Sequence, residues 1–306
     1  MLDQFLARYE NSPALSELLK RMRDSNDNIV VTGSRGGSTP TVFATLARRL
    51  NRPILIVTSS IERAESLADG LTFFGTSPHL FPSYETLPFE TTEPVMHIAA
   101  ARNRLLSELA MPLDPDSPTL VVAPVDSLCF RCLPAARLGE LTIDFQWGQS
   151  LDLHVLAEQL VAMGYRREGL VESPGEFAIR GSIVDLFSPD AEWPIRLDLF
   201  GDEIEQIREF DPTTQRSRPV DKDIPQVRIL PVGCHGPLLD WMMEGRPLAS
   251  VFELLAPGTL VIMDGAFRTE QRLLHFQETV ERHWRDIHKP REDSESNPFV
   301  QHQIEC

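Results

Sequence analysis

Three short runs between residues 176 and 216, in EFAIRGSIVDLFSPDAEWPIRLDLFGDEIEQIREFDPTTQR, commit this part of the chain to an antiparallel sheet. Residues 183–187 and 195–200 alternate apolar with polar side chains and are rich in branched and aromatic types, the period of a strand with one buried face. Turn chemistry closes each run: Ser188-Pro189-Asp190 after the first and Gly201-Asp202 after the second. A third run, 204–210, ends at Asp211-Pro212, so the order is that of a β-meander. Alternation sends Leu197 and Leu199 to one face and Arg196, Asp198 and Phe200 to the other. Two arginines, Arg180 and Arg196, then share an exposed face with Phe200. An aromatic beside arginines is the composition of a protein-binding hot spot. Asp185 and Asp198 lie within strands, where either can orient a neighbouring arginine.

The rest of the chain has a different rhythm. Residues 2–24 read as amphipathic helix with a break at Asn11-Ser12-Pro13, 28–32 as a short apolar strand, and 41–50 as helix. Residues 53–58 read as a buried strand, 60–73 and 94–109 as helices, and 119–123 as another buried strand. Strands alternating with helices imply an α/β fold with a parallel sheet covered on both faces. After about Leu138 come a strand at 141–145, a helix at 151–163 ending at Gly164, and the meander, the make-up of a separate small α+β domain. Beyond Val227 the α/β pattern resumes, with helices at 238–243, 248–255 and 267–287 and a strand at 259–263. The simplest topology is one α/β domain formed by residues 1–139 and 227–306, interrupted at 140–226 by an α+β insertion rich in β-hairpins. Residues 291–306 form a polar tail.

Charge narrows the function. With 29 basic and 45 acidic residues the formal charge is −16, which argues against a primary DNA-binding surface. The arginines at 166–167 and 180–196 are the local basic patches, and an acidic protein partner suits them better than DNA. No apolar run reaches the length of a membrane span and the N-terminus carries acids where a secretory signal is basic, so the cytoplasm is expected.

A glycine-rich loop, Gly33-Ser34-Arg35-Gly36-Gly37-Ser38-Thr39-Pro40, stands where strand, loop and helix would cradle a phosphate. A working loop of this kind needs a lysine for the β- and γ-phosphates and a following Ser or Thr for magnesium. Counted from Gly33, Ser38 takes the second glycine position, Thr39 the lysine position and Pro40 the Ser/Thr position. No lysine lies between Lys20 and Lys222. Two readings follow: nucleotide binding through backbone amides with Arg35 as substitute cation, or an unloaded helix-start loop. The second is favoured, and no catalytic residue, cofactor or metal is assigned. Cys129 and Cys132 form a CxxC without a second pair at zinc spacing, since Cys234-His235 is wrongly placed. They read as small, half-buried side chains at a strand-to-helix junction. The eight histidines form no cluster.

The phrases FAIRGSIVDLFSP, PIRLDLFGDEIEQIREFDPTTQRS and VRILPV resemble the module shared by the repair protein UvrB and the Mfd transcription-repair coupling factors. PSYETLPFE (82–90) and VVAPVDSLCFRCLP (121–134) are similar to phrases of the same family. In that family the small inserted domain binds the damage-recognition ATPase UvrA. UvrB keeps the lysine of the phosphate loop, whereas the N-terminal module of the coupling factors has the fold and lacks the site. This chain lacks the lysine, so the resemblance points to the coupling factors and to a degenerate P-loop NTPase-like scaffold. It implies a non-catalytic adaptor that recruits UvrA through Arg180, Arg196 and Phe200, with Glu203, Arg208 and Arg216 as weaker contacts. In UvrB the region after PSYETLPFE leads into a hairpin that enters DNA; about four residues separate Phe89 from the helix at Pro94, too few for one. Full-length coupling factors are ATP-dependent DNA translocases that also contact RNA polymerase and DNA, through regions expected to lie beyond this sequence. The alternative is a UvrB-like DNA-binding or nucleotide-binding module with residual phosphate-loop function.

Overall fold

The computed structural model describes residues 9, 12–24, 28–34, 36–88, 90, 92, 94–111, 118–218, 224–232 and 235–288. Arg35, Phe89, Cys234, most of the helical stretch expected before Ser12 and the polar tail lie outside them. In chain order the elements are α1 (Pro13–Asp24), α2 (Ser38–Leu50), β1 (Ile54–Thr58), α3 (Ile61–Phe73), β2 (His79–Leu80), α4 (Met96–Leu109) and β3 (Leu120–Pro124). A 3-10 turn (Val125–Cys129), α5 (Ala135–Glu140), β4 (Ile143–Gln146), α6 (Leu153–Ala162), β5 (Arg166–Arg167), β6 (Glu176–Arg180) and β7 (Ile183–Leu186) follow. The chain then runs through β8 (Ile195–Phe200), β9 (Glu203–Glu209), β10 (Gln226–Ile229), α7 (His235–Met243), α8 (Val251–Leu254), β11 (Leu260–Met263) and α9 (Ala266–Ile287).

The fold is mixed α/β and its contacts divide into two units. The first holds a parallel sheet of order β11-β1-β3-β2. Every residue of β1 and β3 is buried, which is why these strands read as continuous apolar runs. Leu15, Leu18 and Leu19 of α1, Leu46 of α2, and Leu67 and Leu71 of α3 pack with Ile54, Ile56, Leu120 and Val122. The helix α3 starts where Ser60 caps it, its side chain accepting from Arg63 N at 3.3 Å. The helix α2 begins three residues before the expected Thr41, with Pro40 in its first turn, where a missing N–H costs nothing.

The strand expected at 28–32 is a correction. These residues have no regular structure, and Val30 and Val31 are exposed while only Ile29 packs on the core. An apolar run becomes a strand only beside a neighbour that takes its hydrogen bonds, and none of the described strands lies next to it.

The second unit holds an antiparallel meander extended at its leading edge into a five-stranded sheet, β5-β6-β7-β8-β9, in which only β5 and β6 run parallel. It also holds a two-stranded antiparallel sheet of β4 and β10. The inward face of the larger sheet carries Phe177, Val184, Leu186, Ile195, Leu197, Leu199, Ile204 and Ile207, all buried. Ile204 and Ile207 are three apart, a spacing that puts residues of a regular strand on opposite faces. A bulge between the pairs Asp198–Gln206 and Leu199–Ile204 inserts Glu205 and brings both isoleucines inward. Among the described residues no helix is long and apolar enough to cross a membrane.

Gly70, inside α3, faces the ring of Pro40 on α2: a Cβ added there would stand 2.8 Å from Pro40 Cβ. A G70A substitution gains roughly 1 kcal/mol of helix propensity but overpacks a rigid contact at a cost of about 1–3 kcal/mol. Chemical denaturation is expected to show net destabilisation; a more stable G70A would mean the two helices separate freely.

Candidate protein-docking surface

The outward face of the five-stranded sheet carries the charged and aromatic side chains singled out from the sequence. Register sets Asp185 opposite Arg196, Arg196 opposite Arg208, Asp198 opposite Gln206, and Phe200 opposite Glu203. Arg180 ends β6, just before the left-handed Gly181 (φ +61°) that turns the chain into β7. Phe200 ends β8 at the Gly201-Asp202 turn, with Gly201 at φ +67°. The tip is held from beside: Leu151 N donates to Asp202 O at 2.7 Å, and Ser150 Oγ donates to the Asp202 carboxylate at 2.9 Å.

At the centre is Asp185, with no solvent exposure. Arg196 grips it with two prongs, Nε to Oδ1 at 2.6 Å and Nη2 to Oδ2 at 2.9 Å, and Nη2 of Arg180 bonds the same Oδ2. The third edge of Arg196, Nη1, donates to the Gln215 carbonyl at 3.3 Å. Its guanidinium lies 4.6 Å from the centroid of the buried Phe210 ring. The Arg196 side chain is only 12% exposed, and its hydrogen bond to Asp185 raises the guanidinium pKa further above its ordinary value. Val171, Ala178, Phe187 and Phe210 form a small apolar cluster; Ala178 pairs opposite Asp185, so the ion pair sits against hydrocarbon.

The remaining candidates differ in how they are held. Arg208 bonds Asp198, with Nε at 3.0 Å from Oδ2, and stays partly exposed. Arg216 is exposed, and its backbone carbonyl accepts from Asp211 N at 2.9 Å. Glu203 is exposed beside Phe200, and Phe200 itself is 79% exposed. One pairing escaped the sequence reading: Arg218 bonds Glu209 at 2.8 Å and stacks 3.9 Å over Trp193. Trp193 precedes β8 and Arg218 follows β9, so only the folded register reveals that they meet.

The other constellations are quieter. Ser34 Oγ and Thr39 Oγ1 lie 2.8 Å apart, Thr39 is buried, and Thr41 Oγ1 donates to the Gly37 carbonyl at 2.8 Å. The hydroxyls of this loop are therefore engaged with one another and with backbone. Gly33, Gly36 and Gly37 are exposed, with open space where a Cβ would stand. Cys129 is exposed rather than half-buried, yet its thiol turns to the Val125 carbonyl at 3.4 Å, and partial desolvation of the sulfur, with Asp126 near, pushes its pKa up to about 11. Burial does the same to Cys132, up to about 11, whose thiol meets the Ala249 carbonyl at 3.5 Å. Thiols so held stay protonated at neutral pH and are poor nucleophiles and metal ligands. Tyr84 of the PSYETLPFE segment packs edge-on to Phe130, ring centroids 5.0 Å apart, with the Arg102 guanidinium 4.2 Å from its ring.

Residues 143–233 match the family model of the UvrB interaction domain. That span contains the whole five-stranded sheet and both strands of the smaller one, so the arginine face lies within the matched residues. Over a longer stretch the chain is similar to transcription-repair-coupling factors. It is 36% identical over 200 residues to that of Myxococcus xanthus, a match covering 63% of this chain and 16% of the relative. For Mycobacterium tuberculosis (strain CDC 1551 / Oshkosh) the identity is 35% over 214 residues, 68% of this chain and 17% of the relative. For Escherichia coli (strain K12) it is 30% over 201 residues, 64% and 17%. The chain thus spans under a fifth of the length of the curated relatives it matches.

Because Arg196 neutralises a carboxylate that has no access to water, its removal leaves Asp185 to Arg180 alone. An R196A variant is expected to lose about 3 kcal/mol of stability in urea denaturation. Loss of less than about 1 kcal/mol, the range of an exposed ion pair, would mean that Arg180 alone satisfies the acid.

Proposed function

We propose that this chain is a non-catalytic adaptor of transcription-coupled nucleotide excision repair that recruits UvrA through the outward face of its antiparallel sheet. Phe200 carries the reading. A phenylalanine 79% exposed at a hairpin tip, on the same face as Arg180 and Arg196 and within a UvrB interaction domain, has the make-up of a hot spot waiting for its pocket. Arg180 and the partly exposed Arg208 supply charge-assisted bonds to acidic groups on UvrA, while Arg216 and Glu203 border the patch. The parallel-sheet unit serves as a degenerate P-loop NTPase-like scaffold; Thr39 at the lysine position, buried and engaged with Ser34, supports a loop without nucleotide. This reading places the protein in the cytoplasm and leaves RNA polymerase and DNA to other regions of the longer coupling factors.

Calorimetry against purified UvrA tests the adaptor role. F200A, at an exposed position, is expected to weaken binding by about 1–3 kcal/mol with little change in stability. R180A is expected to weaken it by a similar amount and, by giving up a bond to the buried Asp185, to lower stability as well. No binding by the correctly folded chain would overturn it. The scaffold is tested separately with millimolar ATP, where no saturable heat is expected; binding that R35A abolishes would restore nucleotide chemistry to the loop.

A further inference from the structure

We infer that Asp185 is a positioning residue for docking, whose buried carboxylate holds Arg196 as a fixed brace and thereby presents Arg180 as the arginine that meets the partner. The inference rests on the UvrA reading above and adds a division of labour to it.

The two arginines are bound to the same acid in different ways. Arg196 spends Nε and Nη2 on Asp185 and Nη1 on the Gln215 carbonyl, and its flat face lies over Phe210. A guanidinium used on three edges and one face has little left for another protein. Arg180 bonds Asp185 through Nη2 only, its side chain is 39% exposed, and among the described residues its Nε and Nη1 have no partner. It is tethered at one corner on a side chain that keeps solvent access, the arrangement that suits a two-pronged grip on an incoming carboxylate.

Oδ2 of Asp185 accepts from both arginines, so the acid sets the spacing between them. Two guanidiniums and one carboxylate leave one net positive charge at a fixed place on the sheet. Without the negative charge the guanidiniums repel, and Arg180, at the end of its strand, swings away. The brace also reaches the 211–217 loop, because the carbonyl that Arg196 holds belongs to Gln215, a residue in the left-handed region at φ 58°. Gln215 is fixed from its other end by bonds from Nε2 to the Val171 and Pro212 carbonyls, at 2.9 and 2.7 Å.

The test is UvrA affinity for D185N, R180A, the double variant, and V184A as a control. Val184 is buried next in sequence on the opposite face of β7, so V184A lowers stability and leaves the triad intact. D185N is expected to weaken binding roughly tenfold or more. In the R180A background it is expected to add little, because both changes remove the same contact, and V184A is expected to stay within about twofold of the wild type. Binding of D185N at wild-type strength would overturn the inference. So would full additivity of D185N with R180A, or a loss in V184A equal to that in D185N. If D185N fails to fold, R196K replaces it, since lysine keeps the charge but not the two-pronged bond. Failure of the wild type to bind UvrA is a different result: it removes the adaptor reading itself.

Discussion

A carboxylate sealed from water between two arginines is the constraint on which the antiparallel sheet is organised. Asp185 sits on a central strand paired on both sides, with Ala178 opposite it on β6 and Arg196 opposite it on β8. An ionised acid in that position is tolerable only if its partners arrive in register, because an unpaired buried charge costs several kcal/mol. A slip of one residue between β7 and β8 would put Arg196 on the inward face and Leu197 on the outward one. A slipped register would leave that acid without Arg196, so the pair favours the observed alignment, the one that builds the candidate docking face.

The meander was legible in the sequence because its code is local. Alternation in 195–200 with a Gly-Asp turn after it fixes which side chains share a face, and burial follows that order residue by residue along β8. The possibility that Asp185 orients an arginine was also visible, since acid and base lie on neighbouring strands of the same hairpin. What was not legible is non-local. Strand β10 pairs with β4 across some eighty residues, as in the bidentate contact of Arg228 with Asp144, and nothing in either segment names the other. Trp193 and Arg218 meet for the same reason. The run 28–32 failed in the opposite direction: its composition is that of a strand, but pairing is a property of the sheet and not of the segment.

The arginines illustrate a further limit of reading side-chain types alone. Arg180 and Arg196 look equivalent in sequence, as two basic residues on one predicted face. Folding makes them unequal, because Arg196 has strand neighbours on both sides and packs over Phe210, while Arg180 ends its strand and stays partly exposed. The aromatic candidates separate in the same way. Phe210 goes inside as the platform for Arg196, and Phe200 stays outside at the turn. Alternation assigns faces, but the non-local groups that pack over a face, here Phe210 and the Gln215 carbonyl, decide which of its members remain available.

The bulge at Glu205 bears on how such a surface changes over evolutionary time. An extra residue on one strand of a pair sharpens the local twist, so the hairpin tip that carries Phe200 is rotated relative to the arginine rows behind it. Loss or gain of one residue at this point would alter that angle without replacing Arg180, Arg196 or Phe200. Two lineages could keep every arginine and the phenylalanine and still present them to partners of different shape, so here a single-codon change in length is a change of geometry while the chemistry stays constant.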